Sequence, residues 1–343
     1  MAILTAADRS VRPVLPPEEP CWQAEIRAAV RSAKELCERL HLPPELARQA
    51  ATGAADFPIF VPPHYLARIE PGNPHDPLLR QVLPLSGEAD ALPGFTHDPV
   101  GDELATLRAG VLQKYTGRAL LVITGACAVH CRYCFRRHFP YEEIPHSDAA
   151  WDAALATIAA DSTITEVILS GGDPLMLVDV RLAALAAKIT AIPHIARLRI
   201  HTRLPIVIPA RVTESLIACF AETRLSLVMV VHANHAHELS ADVAAALNKL
   251  RGAGFVLLNQ AVLLRGVNDS VAAQQDLADR LIELGVVPYY LHQLDRVAGA
   301  AHFEVPVDEG RRIIAELRAR LPGYMVPRYV QEIPGEPNKT ILY

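Results

Sequence analysis

The chain has 343 residues, 51% of them hydrophobic, with 33 basic and 38 acidic side chains giving a formal net charge of −5. That is enough apolar sequence to bury a large core in one or two domains, and it lacks the basic excess that draws a protein to nucleic acid. No apolar run approaches the roughly 20 residues of a membrane span, and Met1-Ala-Ile-Leu-Thr-Ala-Ala-Asp-Arg9 has no charged-then-apolar leader pattern.

In chain order, residues 1 to about 110 form the first unit. Glu18 to Leu40 reads as one amphipathic helix, and the segment from there to about 100 is Pro-rich and irregular. Within it the run from Ile69 to Leu83 shows no chemistry in its spacing and reads as a lid or brace. Ala119-Leu-Leu-Val-Ile-Thr124 follows, a continuous apolar run of the kind buried on both faces of a sheet. Gly125 breaks it, and Cys127, Cys131 and Cys134 come at once in the spacing C-x3-C-x2-C. Three thiolates this close can hold three corners of a 4Fe-4S cube and leave the fourth iron open. A zinc knuckle is the competing reading. It needs a fourth ligand, and His130, adjacent to Cys131, is awkwardly placed to chelate beside it. The other cysteines, Cys21, Cys37 and Cys219, are scattered, so no disulfide framework is expected and a reducing cytoplasm is.

Five further strand-like runs lie downstream, at 166–170, 197–201, 225–231, 256–259 and 287–291. Ala- and Leu-rich helical stretches alternate with them at 148–160, 179–191, 211–221, 238–252 and 270–284. Repeated βα units predict an α/β fold with a parallel, curved sheet whose chemistry lies on loops after the strand C-termini. Ser170-Gly-Gly-Asp-Pro174, His232 and Gln260 fall at such ends. Taken alone, the Gly-Gly-Asp-Pro run would be a turn, and His232, His235 and His237 would be surface or core histidines rather than a metal site. The last 40 residues add a helix near 308–320 and a turn-rich, extended stretch from Met325 to Thr340 that contains Glu332 and Lys339.

The ordered set of Lys114-Tyr-Thr-Gly-Arg118, the cysteine run with Cys134-Phe-Arg-Arg137, Ser170-Gly-Gly-Asp-Pro174, His201-Thr-Arg-Leu-Pro205, Leu263-Leu-Arg-Gly-Val-Asn-Asp269 and Gly335-Glu-Pro-Asn-Lys-Thr340 resembles the lysine 2,3-aminomutase family of radical S-adenosylmethionine (SAM) enzymes. Within that family it is most similar to the short bacterial type that makes (R)-β-lysine for modification of elongation factor P. The resemblance implies a partial (β/α)6 TIM-like barrel at 111–300, an N-terminal helical extension at 1–110, and a C-terminal segment at 301–343 that binds pyridoxal 5′-phosphate (PLP).

The resemblance also implies roles. Cys127, Cys131 and Cys134 would hold the 4Fe-4S cluster, and Gly171, Gly172, Asp173, His232 and Gln260 would border SAM. Lys339 would carry PLP as a Schiff base, with Lys114, Tyr115 and Arg118 on the phosphate side; Lys114 stands where the degradative enzymes have arginine. Arg136 would bind the substrate carboxylate, and Asp295 and Glu332 would clasp a lysine ammonium, Glu332 replacing an aspartate. The implied reaction moves the α-nitrogen of free L-lysine to Cβ by a radical route that regenerates SAM and needs a cellular one-electron reductant. A separate ligase would attach the product to elongation factor P. Three alternatives stand beside this: β-lysine made for catabolism or as an osmolyte, a glutamate 2,3-aminomutase (disfavoured by the acidic pair), and a non-catalytic zinc or iron–sulfur protein.

Overall fold

A computed structural model describes residues 21–54, 57–145 and 147–343. Residues 18–20 of the predicted first helix, and the nine N-terminal residues tested for a leader, lie outside them. Ten strands form one mixed sheet in chain order: β1 (Thr106–Arg108), β2 (Val111–Leu112), β3 (Arg118–Val122), β4 (Glu166–Ser170), β5 (Arg197–Thr202), β6 (Ser226–Val231), β7 (Val256–Val262), β8 (Val287–His292), β9 (Arg328–Gln331) and β10 (Thr340–Ile341). The six predicted strands are β3 to β8, each parallel to the next. The sheet runs from β1 at one edge to β10 at the other.

The strands alternate with helices because the intervening sequence switches to a helical period. Asp148–Ala160 is capped by Ser147, which accepts from the Ala150 amide, and Val271–Glu283 by Ser270, which accepts from Ala273. In Asp179–Thr190 the buried side chains are Leu182, Leu185, Ala186 and Ile189, one face at i, i+3, i+4, i+7. Ala241–Gly252 buries Val243, Ala246, Leu247 and Leu250 in the same rhythm. These faces close over one side of the sheet and join a single core cluster with β3 to β8. Among the described residues no helix is long and apolar enough to cross a membrane.

Four departures from the sequence reading matter. The N-terminal helix is two short ones, Trp22–Arg27 and Ala33–Arg39, because Val30 pairs its backbone with Val61 and Ser32 caps the second by accepting from Glu35. The helix predicted at 211–221 shrinks to Glu214–Ala218, which Thr213 caps, after a 3-10 turn at Pro209–Arg211. The irregular stretch before Lys114 contains the antiparallel β1–β2 hairpin, which Gly110 turns with φ 76°. The C-terminal segment also supplies a seventh parallel strand: β9 pairs with β8, and β10 returns antiparallel to β9.

Helix Val307–Arg320, between β8 and β9, lays Gly310 against Tyr329; a Cβ at position 310 would stand 2.2 Å from the Tyr329 hydroxyl. Tyr329 cannot yield cheaply, since it is fully buried and donates to Gln293 Oε1. Alanine would gain about 0.5–1 kcal/mol of helix propensity and lose about 1–3 kcal/mol to overpacking. Gly310→Ala is therefore expected to lower stability by about 1–2 kcal/mol in urea unfolding. A stabilised variant would refute this packing argument.

Candidate active site

The C-terminal ends of β3 to β9 surround a cavity of about 480 Å³, within the range of small-molecule sites. After β3 the chain enters the cysteine loop, which has no regular structure and is held from outside. His130 N–H donates to the Phe60 carbonyl (3.0 Å) and Arg132 N–H to that of Gln81 (2.9 Å). The fully buried Arg132 guanidinium donates to both oxygens of Glu88 (Nε at 3.0 and 3.1 Å), to the Phe57 carbonyl (2.7 Å) and to that of Gly53 (3.0 Å). Arg137 adds a further bond to Glu88 (3.0 Å). The N-terminal extension is thus a brace beneath the thiols. His130 is turned toward it, with Nδ1 donating to the Pro58 carbonyl (2.8 Å) and the ring stacked on Phe57, away from the cavity.

The Ser170–Asp173 loop packs against the other side of the cysteine loop. Gly172 N–H donates to Thr124 and Asp173 N–H to Ala126. Neither glycine tolerates a side chain: a Cβ on Gly171, where φ is 135°, would meet the Thr124 carbonyl at 2.3 Å, and one on Gly172 would meet that of Ala126 at 2.4 Å. Asp173 accepts four bonds, from Thr202 Oγ1, the Leu175 amide, and the Arg203 and Leu204 amides. Its carboxylate shapes the end of β5.

Cys127, Cys131 and Cys134 all line the cavity. Burial pushes the Cys127 thiol well up and Cys134 to about 11, and in both the neighbouring thiols add to the effect. Such a trio gains from binding cations, which remove both penalties. Among the described residues no three His, Cys, Asp or Glu side chains converge as ligands of one ion; a cube takes each thiolate on a different iron. The donor set fits a 4Fe-4S cluster. Near it, His232 Nε2 lies 2.9 Å from the Tyr133 hydroxyl, and burial first, then the Arg203 charge, pushes its pKa down to about 3. Gln260 reaches the same cavity from a β-bulge between Asn259 and Gln260, a device that re-aims a side chain.

Next to the thiols the charged residues of the cavity form a network. Arg136 donates through Nε to Asp102 (2.7 Å) and through Nη1 to Ser170 Oγ (3.1 Å), which fixes its plane. Lys114 pairs with the other Asp102 oxygen (2.7 Å). Burial opposes the Asp102 charge, but Arg136 and Lys114 outweigh it and hold its pKa below the usual carboxylate range. One carboxylate thus serves two cations and leaves a net positive trio. Glu332, delivered by the end of β9, accepts from the Tyr115 hydroxyl (2.6 Å) and pairs with Lys339. Burial works against Glu332 as well; Lys339, Tyr115 and Lys114 keep its pKa low. Asp295 behaves otherwise: burial pushes it up to about 7, Lys339 opposing and Glu332 reinforcing the rise. Arg118 lines the cavity with its guanidinium over the Tyr115 ring.

All the residues to which the resemblance gives roles border this one cavity; His130, His235 and His237 do not. Several that matter were missed. Asp102 sits beside Glu103 in an irregular stretch, with nothing local to set it apart from its acidic neighbour. Arg203 lies inside the quoted His201-Thr-Arg-Leu-Pro205 run, and its position at a strand end was the available signal. Gln81, Tyr133, Asn234 and Glu238 join it in a buried network spanning as many as 157 residues of sequence.

Residues 121–274 match the model of the radical SAM superfamily. The L-lysine 2,3-aminomutase of Escherichia coli (strain K12) is 48% identical over 327 residues, covering 95% of both chains. That of Haemophilus influenzae is 46% identical, covering 94% of this chain and 96% of its own. The Clostridium subterminale enzyme is 34% identical, covering 93% of this chain and 77% of its own.

The glycine contacts yield a test. Gly172→Ala should push the Ala126 backbone and disturb the thiol loop, lowering iron bound per chain after anaerobic reconstitution. Gly323→Ala, where nothing lies within 4 Å, should bind iron as wild type does. Equal iron in both would remove the close-approach argument.

Proposed function

The chain belongs to the lysine 2,3-aminomutase family of radical SAM enzymes, and from that premise we propose that this isomerase converts free L-lysine to (R)-β-lysine with PLP as a second cofactor. The observation that carries the reading is the charge layout: a buried guanidinium, Arg136, and an acidic pair, Asp295 and Glu332, border one cavity with the three thiols and Lys339. An α-amino acid with a cationic side chain complements that layout. A substrate with an acidic side chain does not.

Cys127, Cys131 and Cys134 would hold the cluster, whose open iron would take SAM, bordered by Gly171, Gly172, His232 and Gln260. Lys339 supplies the amine that PLP requires, with Arg118, Lys114 and Tyr115 toward its phosphate. When bound, the cluster and SAM supply hydrogen abstraction from carbon, and PLP supplies a conjugated site for the migrating nitrogen. The protein's own task is positioning. Arg136, its plane fixed by Asp102 and Ser170, orients the substrate carboxylate. Asp295 and Glu332 receive the ammonium, which sets how far the side chain extends. Apolar side chains such as Leu112, Ile168, Val207 and Leu294 line the cavity and keep water from the reacting carbon.

We read residues 1–110 as the brace, 111–300 as the barrel and 301–343 as the segment bearing the PLP lysine. A reducing cytoplasm would keep the thiols available. The similarity to the short bacterial type supports delivery of the product to elongation factor P through a separate ligase. Arg136 calls for a free carboxylate, so free lysine should react and lysine already attached to the factor should not. Rearrangement seen on the attached residue alone would reverse that order.

Lys339 is tested by borohydride reduction of the PLP-loaded protein and peptide mapping. The reduced cofactor should sit on Lys339; a label on Lys114, Lys188 or Lys249 instead rejects the assignment.

The clasp predicts a pH effect. With its pKa raised to about 7, Asp295 is substantially protonated below neutrality. An ammonium favours the carboxylate, so lysine binding should release a proton near pH 7. Apparent affinity should rise between pH 6 and 8, and Asp295→Asn should flatten that dependence while retaining iron. Norleucine, lacking the charge, should turn over slower by about 10⁴. Comparable rates for norleucine and lysine would overturn the clasp.

A further inference from the structure

The three thiols do not share one environment. Arg203, just past β5, donates from Nη1 to Cys131 Sγ at 2.6 Å. Its other arm donates to Gln81 Oε1 and Glu238 Oε2, both at 2.7 Å. Its guanidinium lies over the rings of Tyr65 and Tyr133, at 5.5 and 5.8 Å. The side chain is buried, and Glu238 is fully so. Asp173 fixes the backbone beneath it by accepting the Arg203 amide at 2.7 Å. Among the described residues no guanidinium hydrogen bond to Cys127 or Cys134 is found: Arg136, near Cys134, donates to Asp102 and Ser170, and Arg137 to Glu88 and the Arg132 carbonyl. A buried arginine held by Gln81, Glu238, two tyrosine rings and Asp173 is a rigid donor aimed at one sulfur.

Hydrogen bonds to cysteine sulfur are among the levers that set iron–sulfur reduction potentials. We propose that Arg203 is a positioning residue that raises the cluster's reduction potential through Cys131, so that a cellular one-electron donor can reduce it. The proposal rests on the cluster assignment above. In the step concerned the donor loses one electron and the cluster gains it. The added negative charge spreads onto the thiolates, and the Arg203 N–H bond stabilises it at Cys131. Glu238 cancels the long-range charge of the guanidinium, which leaves the direct bond as the dominant contribution.

The test is a potentiometric titration of the anaerobically reconstituted holoprotein, followed by electron paramagnetic resonance. Arg203→Met paired with Glu238→Gln removes the donor while keeping the site neutral. At a fixed solution potential its ratio of reduced to oxidised cluster should fall at least tenfold, a shift of about 59 mV for a one-electron couple. Arg203→Lys, which keeps a cationic donor, should fall between the two. An iron-replete double variant with the wild-type midpoint overturns the proposal. Should the variants lose the cluster, wild-type protein grown on arginine labelled with ¹⁵N in the guanidino group decides the matter. Pulsed resonance of its reduced cluster should show a ¹⁵N coupling, and absence of that coupling also overturns the proposal. Wild-type protein that takes up no iron would instead defeat the cluster assignment itself, and the Arg203 role with it.

Discussion

Three thiols must be presented together by a loop that has no regular hydrogen-bonding of its own, and buried guanidinium groups make this possible. Arg132 and Arg137 clamp the loop to Glu88 from below, and Arg203, tied to Glu238, approaches Cys131 from the strand ends. Buried ion pairs of this kind add little net stability, because desolvation offsets most of the attraction, yet losing one partner costs about 3–5 kcal/mol. They specify geometry more than they stabilise. The N-terminal extension acquires its role from this need: Glu88, Gln81 and the carbonyls of Gly53, Phe57, Pro58 and Phe60 are all acceptors for the loop.

The sheet supplies the second half of the arrangement. Each parallel strand from β3 to β9 ends at the same rim, so residues far apart in sequence meet without long side-chain excursions. The C-terminal segment is part of that sheet, since β9 extends the parallel order and its end delivers Glu332 to Tyr115 and Lys339. Extension and tail also touch: a Cβ on Gly101 would lie 3.1 Å from Pro334. Asp102, next to that glycine, in turn orients Arg136 beside the thiols.

How much of this was legible follows from how local each signal is. Strands β3 to β8 were readable because each is a short run with an apolar centre between helix-like stretches, repeated in order, and the cysteines because their spacing is a local pattern. Strand β9 was not readable: Arg328-Tyr-Val-Gln331 is short and polar at both ends, and the β8 edge decides its conformation. The first helix was misread because its amphipathic period continues across Val30, while the Ser32-x-x-Glu35 cap that marks a new start was passed over. Asp102 and the Gln81–Tyr133–Asn234–Glu238 network carry little local signature, since the bonds from Asp102 to Arg136 and from Gln81 and Tyr133 to the rest of the network join residues 34 to 157 apart.

The hairpin that carries Lys339 is stitched far more lightly than the rest of the rim. β10 registers two residues against β9, Thr340 with Gln331 and Ile341 with Val330, whereas β5 and β6 register six. Gly335, at φ 86°, turns the exposed stretch between them. Free energies of local opening in a folded protein range from near zero at such hairpins to the global value in central strands. The amine and its turn are therefore expected to open at a lower free energy than the thiol loop, which buried arginines hold, so that exchange of their amides should be the faster of the two.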